Sequence, residues 1–238
     1  MNKPTIERLY AVTEATWPAR KRWQEGCWTI RDGGGAGSRV SSATLLDGVV
    51  HEEDIGVAEA AMRDIGQVPL FMVREGEAVL DGLLANQGYA IKDPVRFYIV
   101  ELTGDPPAPV TYDCWPPLEV QKEIWKAGGI GAARLDVMAR GVEPKTTLLA
   151  RKQGRAAGNC YVGVDRDIAM AHAIEVPVGL RRQGAGRALV QGAMRWAMQQ
   201  GASWLSLIVT EANSGAHQLY ASLGMSVVGH YHYRIKAE

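Results

Sequence analysis

The spacing of hydrophobic and polar residues in the second half of the chain changes repeatedly between the period of a strand and that of a helix. Short runs rich in apolar and β-branched residues at 146–151, 159–164, 168–176 and 204–209 predict four strands. Leu189, Ala193 and Trp196 lie at helical spacing and predict a helix over 187–200 that Gly201 ends. Glycines at 128, 129 and 131 divide the helical stretch 118–140 into two short helices.

A second short helix is predicted after the 204–209 strand. Asn213 is suited to cap its first turn, and Leu219 and Tyr220 lie on one side of it. Gly224 ends this helix, and a further strand begins at Met225.

The first half of the chain contains a faint copy of the same pattern. A gap-free shift of 136 residues puts Leu83 on Leu219, Gly88 on Gly224, and the run 69–73 on 205–209. One register across strand, helix and strand indicates an internal duplication. The same shift puts Leu45, Gly48, Val50, Glu77 and Leu84 on Arg181, Gly184, Gly186, Asn213 and Tyr220. We therefore expect the first copy to have kept its packing pattern and lost a polar site.

Prolines mark the boundary between the halves. Residues 103–117 contain five of them, and proline lacks an amide donor and fixes φ. The sequence predicts a domain at 1–102, a Pro-rich linker at 103–117 and a second domain at 118–238. We expect the acceptor of any reaction to enter a cleft bordered by both domains.

Composition excludes several classes of protein. Lys plus Arg and Asp plus Glu both number 26, which argues against binding nucleic acid through a basic field. No stretch approaches the ~20 apolar residues of a membrane span, and Glu7 and Glu14 interrupt any signal peptide. Three widely spaced cysteines suit neither a disulfide framework nor structural zinc. We expect a cytoplasmic protein, a monomer or homodimer, with no metal, nucleic-acid or membrane partner.

The segment 181–186, RRQGAG, lies between an apolar strand and an amphipathic helix. Glycines there let the backbone turn tightly and approach a ligand. The free amides and the dipole of the following helix favour a phosphate, and Arg181, Arg182 and Arg187 add positive charge. Alone, this hexapeptide fits a phosphate loop and a plain turn equally well.

Two segments in this order resemble the GNAT acetyltransferase superfamily: AIEVPVGLRRQGAGRAL and, about thirty residues on, EANSGAHQLYASLGMSVVG. The resemblance covers the chain from about residue 118 to the C-terminus. It implies an α/β (α+β) fold, a mixed twisted sheet flanked by helices. With the duplication, it implies two related GNAT-like halves, the first of them degenerate.

The resemblance implies acetyl-CoA as donor and an N-acetyltransferase reaction by direct attack in a ternary complex. Backbone amides of Arg181, Arg182, Gln183, Gly184, Ala185 and Gly186 would hold the pyrophosphate, with Arg187 at the mouth of the loop. The strand end near Val176 would pair with the pantetheine arm, and Asn213 would lie beside the cofactor. Tyr220 would point its hydroxyl at the thioester sulfur.

The candidate catalytic residues follow from the chemistry of amine acetylation. Tyr220 is suited to protonate the departing thiolate. The general base is open between His172, Glu175 and loss of the proton to water. Regular strand alternation puts His172 and Glu175 on opposite faces, unless a bulge intervenes.

The sequence leaves the acceptor unidentified, beyond a small-molecule or peptide amine. The alternative to an enzyme is a non-catalytic acyl-CoA-binding or regulatory module. The glycine-rich run 33–37 is interpreted as a hairpin loop, and Cys160 has no patterned His or Asp partner for nucleophilic catalysis. His230 and His232 lack a third metal ligand and are assigned to an edge strand.

Overall fold

The computed structural model describes residues 3–46, 49–104 and 111–236, and the chain divides into two compact units. Unit 1 takes residues 1–18, 97–209 and 213–228, and unit 2 takes residues 19–96, 210–212 and 229–238. Both units are discontinuous in sequence, in contrast to the contiguous domains predicted at 1–102 and 118–238. The region 1–102 therefore supplies its first helix and the end of its last strand to unit 1.

The elements alternate along the chain in two similar series. The first series is α1 (Ile6–Thr16), β1 (Lys21–Glu25), β2 (Trp28–Asp32), β3 (Thr44–Leu45), α2 (Glu52–Asp64), β4 (Leu70–Arg74), α3 (Ala78–Asn86) and β5 (Ala90–Glu101). The second series is β6 (Thr111–Cys114), α4 (Glu119–Ala127), α5 (Ala132–Arg140), β7 (Lys145–Lys152), β8 (Arg155–Asp165), β9 (Ile168–Glu175), α6 (Ala185–Gln199), β10 (Trp204–Thr210), α7 (Ser214–Ser222) and β11 (Ser226–Ile235).

The predicted elements of the second half are all present, and two predictions elsewhere are corrected. Residues 111–114 of the predicted linker form β6, which pairs with β7. Residues 105–110 of that linker lie outside the described residues. The hairpin predicted at the glycine-rich run 33–37 does not close directly, because a single turn of 3-10 helix at Ser38–Val40 follows the run before β3 begins at Thr44. Within the described residues, no helix is long and apolar enough to cross a membrane.

Unit 1 is built on a sheet with the strand order β5-β10-β9-β8-β7-β6. The neighbours β6 and β7, β7 and β8, and β8 and β9 pair antiparallel, and β10 runs parallel to β9. Helix α6 buries its apolar side on this sheet because Leu189, Val190 and Ala193 recur at helical spacing. Its N-terminus is thereby fixed beyond the end of β9.

Unit 2 repeats this topology on a smaller scale. Strands β1, β2 and β3 are antiparallel, and β3 continues to β4 through a parallel bridge between Ala43 and Phe71. Trp28, Phe71 and Tyr89 pack edge to face in its core. Strand β11 pairs with β4 and is followed in the sheet by β5, so the prediction of an edge strand at His230 and His232 is wrong.

The duplication is visible in the element boundaries. Helices α3 and α7 both have nine residues and begin 136 positions apart, and β5 and β11 also begin 136 positions apart. Each unit ends its sheet with the last strand of the other series. Strand β5 lies beside β10 in unit 1, and β11 lies beside β4 in unit 2.

The gap-free register fails ahead of α2. Ala171 pairs with Leu207 in unit 1, and Ala43 bridges to Phe71 in unit 2, so these stretches span 36 and 28 positions. The eight additional residues of the second series lie in the segment that contains the end of β9 and the loop before α6. The gap-free match of Leu45, Gly48 and Val50 with Arg181, Gly184 and Gly186 falls in this segment of unequal length, and Gly48 lies outside the described residues.

Candidate active site

The loop between β9 and α6 borders a cavity of about 540 Å3 in unit 1. Arg181, Arg182, Gly184, Gly186 and Arg187 line it. Gly184 is the N-cap of α6 and has φ of 92°, a left-handed conformation that favours glycine. No side chain caps α6, and its first turn carries no acidic residue. The first amides of the helix are thus left without a side-chain acceptor next to three arginines, an arrangement suited to an anion.

The sheet opens where β9 approaches this loop. The parallel pairing of β9 with β10 ends at Ala171 and Leu207, although β9 continues to Glu175. Ile174 and Val176 line the cavity beyond the last pair. Among the described residues, the β9 backbone past this pair has no strand partner on the β10 side. Pairing of pantetheine near Val176 stays a prediction.

A bulge in β9 changes which side chains share a face. Tyr161 of β8 pairs with His172 and Asn159 pairs with Glu175, so two steps on β8 match three on β9. Ala173, within the bulge, has φ of 50°. Because Tyr161 and Asn159 lie on the same side of β8, His172 and Glu175 also share a side. The bulge is the exception to regular alternation, so the two side chains do not lie on opposite faces.

Glu175 lies at the wall of the cavity and is partly shielded from water. Its side chain is 17% exposed, and Oε1 lies 3.5 Å from Nη2 of Arg181. A Cβ on Gly128, just past the end of α4, would lie 2.5 Å from the carboxyl carbon, so only glycine allows this approach. Burial raises the pKa of Glu175, and the Arg181 guanidinium opposes that rise. The Glu175 carboxylate is therefore a stronger base than an exposed glutamate, and it lines the cavity.

His172 lies deeper than Glu175 and is absent from the cavity wall. Its ring is 4% exposed and stacks on Trp17 at a centroid distance of 5.0 Å. Its Nε2 is 2.8 Å from Oγ1 of Thr16. Since the Thr16 hydroxyl donates to the carbonyl of Val12 at 2.7 Å, Nε2 of His172 must be the donor in this pair. The hydrogen bond of this nitrogen therefore joins α1 to β9.

Helix α7 closes the opposite side of the cavity. Asn213 caps it, as predicted, with Oδ1 accepting from the Ala216 amide at 3.1 Å. Tyr220 is 6% exposed and lines the cavity with Asn213. Burial raises the pKa of Tyr220 well above its usual value, and the nearby Cys160 thiol and Tyr98 hydroxyl add to the rise. Tyr220 therefore keeps its proton at neutral pH.

Nine of the twelve residues assigned to the site from sequence line this one cavity, and three do not. His172 is one, and the side chains of Gln183 and Ala185 are the others: Gln183 donates to the Gly179 carbonyl, and Ala185 is buried. Their backbone amides still belong to the loop. Cys160 is fully buried, and burial raises the pKa of its thiol to about 12, which suits a packing residue.

Sequence reasoning missed the groups that surround these residues. Thr16 and Trp17 come from the N-terminal helix, and Tyr98 comes from β5 of the first series. Trp17 packs within unit 1 and Trp28 within unit 2. Nothing in local spacing links such distant residues. For Tyr98, the one available signal was the shift of 136. It would have located this residue only together with the fact that β5 lies beside β10 and β11 lies beside β4.

Residues 108–225 match the family model described as the acetyltransferase (GNAT) family. This segment belongs to the GNAT family. The match includes β9, the loop, α6 and α7, so the cavity is built from the GNAT segment of the chain. Family membership supports acyl transfer as the general class of reaction. No curated protein sequence is significantly similar to the chain.

Solved GNAT structures share the fold over most of the chain. A GCN5-related N-acetyltransferase from Kribbella flavida is 17% identical with a TM-score of 0.73, covering 97% of this chain and 95% of that one. A GCN5-related N-acetyltransferase from Sphaerobacter thermophilus is 17% identical with a TM-score of 0.60, covering 76% and 66%. A tandem GNAT protein from the clavulanic acid biosynthesis pathway is 14% identical with a TM-score of 0.54, covering 87% of this chain and 76% of that one. The two-series architecture is consistent with tandem GNAT halves.

Proposed function

We propose that the chain is an acetyl-CoA-dependent N-acetyltransferase whose reaction takes place in unit 1. The observation that carries the proposal is the meeting of three features in one cavity. The phosphate-type loop, the carboxylate of Glu175 and the buried phenol of Tyr220 all line it. A module that only bound acyl-CoA would need the loop and not the other two.

The loop fits the diphosphate of a coenzyme A ester. Gly184 at φ of 92° leaves open space where a side chain would project, since a Cβ there would meet no atom within 4 Å. Arg181, Arg182 and Arg187 bring positive charge to the uncapped start of α6. Amides at a helix N-terminus and nearby guanidinium groups bind phosphate together. No acidic side chain of the first turn of α6 competes with the phosphate for these groups.

Acetyl-CoA, when bound, supplies an activated acetyl group on sulfur. Holding it and the amine together in one orientation provides much of the rate. The amine nitrogen attacks the thioester carbonyl, and the carbon–sulfur bond breaks as the amide bond forms. One proton leaves the nitrogen and one is taken up by the departing sulfur.

Glu175 is proposed as the group that accepts the amine proton. Its raised pKa makes the carboxylate a stronger base than an exposed glutamate, and it lines the cavity. His172 is less suited, because Nε2 donates to Thr16 and the ring is buried against Trp17. Water remains the third candidate for the acceptor of this proton.

Tyr220 is proposed as the group that protonates the departing sulfur. Its raised pKa keeps the phenol protonated, so its hydroxyl is available to donate a hydrogen bond to the departing sulfur. Displacement of water from the cavity would raise the pKa of the thiolate's conjugate acid as well, which allows the proton to follow. The acceptor is proposed to be a small-molecule or peptide amine, and unit 1 alone contains every residue assigned to the chemistry.

Release of free thiol from acetyl-CoA against a broad panel of amines tests the proposal, with Tyr220→Phe measured in parallel. The variant should bind acetyl-CoA with unchanged affinity and lose ~10²–10⁴ in kcat, the usual effect of removing a proton donor. If the best acceptor of the panel is turned over by Tyr220→Phe within threefold of the unmodified chain, the acid role is wrong.

A further inference from the structure

In each unit, a polar contact joins the strand received from the other series to a short helix, α7 in unit 1 and α3 in unit 2. In unit 1, the hydroxyl of Tyr98 on β5 lies 2.8 Å from Nδ1 of His217 on α7. The shift of 136 that relates the series carries Tyr98 to Arg234 and His217 to Asp81. In unit 2, those two residues are also in contact, with Arg234 Nε donating to Asp81 Oδ1 at 2.7 Å. The two pairs occupy equivalent positions.

The chemistry of the two pairs differs. Arg234 and Asp81 form an ion pair, and the hydrogen bond from Arg234 lowers the pKa of Asp81. His232 adds a second contact to the same carboxylate oxygen at 2.7 Å. This pair does what a strand-to-helix link requires. At the equivalent positions unit 1 has a phenol and an imidazole, Tyr98 and His217, instead of an ion pair. Joining the strand to the helix does not explain why unit 1 has these two residue types.

The residue beside each pair differs as well. The position equivalent to Tyr220 is Leu84, which is fully buried and has no polar group to orient. In unit 1, the Tyr98 ring packs against the Tyr220 ring with centroids 5.4 Å apart and planes at 58°. The aromatic member of the pair therefore contacts the residue that bears the proposed acid group.

Tyr98 is held at both ends. Its carbonyl accepts a hydrogen bond from Ser206 of β10 at 2.9 Å, and its hydroxyl reaches His217. His217 precedes Tyr220 by three residues on α7, so both lie on neighbouring positions of one helix side. The Tyr98 ring is thereby fixed relative to the helix that carries Tyr220, and it restricts the orientations open to that phenol.

We propose that Tyr98 and His217 are positioning residues for Tyr220, a proposal that rests on the acid role of Tyr220. Tyr98 lies in β5, the last strand of the first series. The first series would thus supply a residue that orients the phenol of Tyr220. The ion pair in unit 2 is the purely structural counterpart.

Two variants test the link between Tyr98 and His217. Tyr98→Phe keeps the ring and removes its hydroxyl, and His217→Ala removes the imidazole. Each should lower kcat about tenfold, because small misplacement of a reacting group is costly, and leave KM for acetyl-CoA within about twofold. His217→Asn, which keeps a polar group near the position of Nδ1, should recover most of the loss. Arg234→Gln in unit 2 is the matched control and should lower thermal stability without changing kcat.

Coupling to Tyr220 decides the proposal. If Tyr98 acts through Tyr220, then Tyr98→Phe should lower kcat in the unmodified chain and have no further effect in a Tyr220→Phe background. Equal fold-losses in both backgrounds, or an unchanged kcat for Tyr98→Phe while Tyr220→Phe is impaired, would overturn the positioning role alone. Full activity of Tyr220→Phe would overturn the acid role and the positioning role with it.

Discussion

Helices α2 and α6, which follow β3 and β9, have opposite charge at their N-termini. Helix α2 of unit 2 has Glu52, Glu53 and Asp54 in its first turn, and Asp54 accepts from the His51 amide at 2.8 Å. Helix α6 of unit 1 has no acidic residue there and no side-chain cap. One helix satisfies its positive N-terminus with its own carboxylates, and the other leaves that end open to an external anion.

The same contrast extends to the rest of the site. The second series has eight residues more between its paired strand positions, and it has Asn213 and Tyr220 where the first has Glu77 and Leu84. The topology is retained in both units. Both units thus keep the packing of their sheets, while among the described residues the uncapped glycine-rich helix start, Asn213 and Tyr220 lie in unit 1.

The largest expected effect comes from two glycines in comparable conformations. Gly184 and Gly66 have φ of 92° and 71°, and a Cβ on either meets no atom within 4 Å. Valine at either position should cost similar strain, roughly 1–2 kcal/mol of unfolding free energy. Only Gly184→Val should weaken acetyl-CoA binding, on the order of 1,000-fold or about 4 kcal/mol, since it removes several amide contacts.

Calorimetric titration with acetyl-CoA and thermal denaturation measure both quantities. A loss of acetyl-CoA affinity in Gly66→Val as large as that in Gly184→Val would mean that strain, and not the loop, accounts for the change.

The next effect concerns pH and compares two half-buried glutamates, Glu175 in unit 1 and Glu77 in unit 2. Burial raises the pKa of Glu175 and of Glu77. As a base, Glu175 must be ionised, so kcat/KM should rise with pH and its ascending limb should lie above the ordinary glutamate value of 4.5. Glu175→Gln should lower kcat/KM about 100-fold and remove this limb, whereas Glu77→Gln should leave the profile unchanged.

A pH profile of kcat/KM with the best acceptor gives the answer. If the ascending limb persists in Glu175→Gln, another group accepts the amine proton and Glu175 is not the base.

The smallest expected effect comes from giving the first turn of α6 an acidic residue like those of α2. Asp54 is the third residue of α2, and Arg187 is the third residue of α6. Arg187→Asp should raise the free energy of unfolding by ~0.3–1 kcal/mol, because a carboxylate then faces the positive end of the helix dipole. It should also weaken acetyl-CoA binding about tenfold through repulsion of the phosphates.

Asp54→Asn supplies the control: stability should fall by roughly 0.5–1 kcal/mol with no change in affinity for acetyl-CoA. The opposite signs for stability and binding in Arg187→Asp are what the comparison requires. Unchanged affinity in that variant would show that the N-terminus of α6 does not face the phosphates.

Much of unit 1 was predictable because its signals are local. Helical spacing around Leu189 predicted α6, Asn213 predicted the cap of α7, and the glycine-rich segment before α6 predicted the loop. These features depend on residues within a few positions of one another. A different signal placed α3 and β5: the shift of 136 from α7 and β11, which begin 136 positions later.

The remaining features depend on contacts that local spacing does not record. The bulge at Ala173 reversed the face of Glu175 relative to His172, and alanine carries no sequence signal for a positive φ. The exchange of β5 and β11 brought Tyr98 to Tyr220 from the other series. A gap-free comparison also missed the eight extra residues, because apolar spacing on both sides of the loop is similar.

The stoichiometry of acetyl-CoA binding to the unmodified chain tests most directly the claim that one unit kept the site and the other lost it. Isothermal titration calorimetry should give one molecule bound per chain, with all of that binding lost in Gly184→Val. Two molecules per chain, or one that remains bound to Gly184→Val with unchanged affinity, would contradict the account.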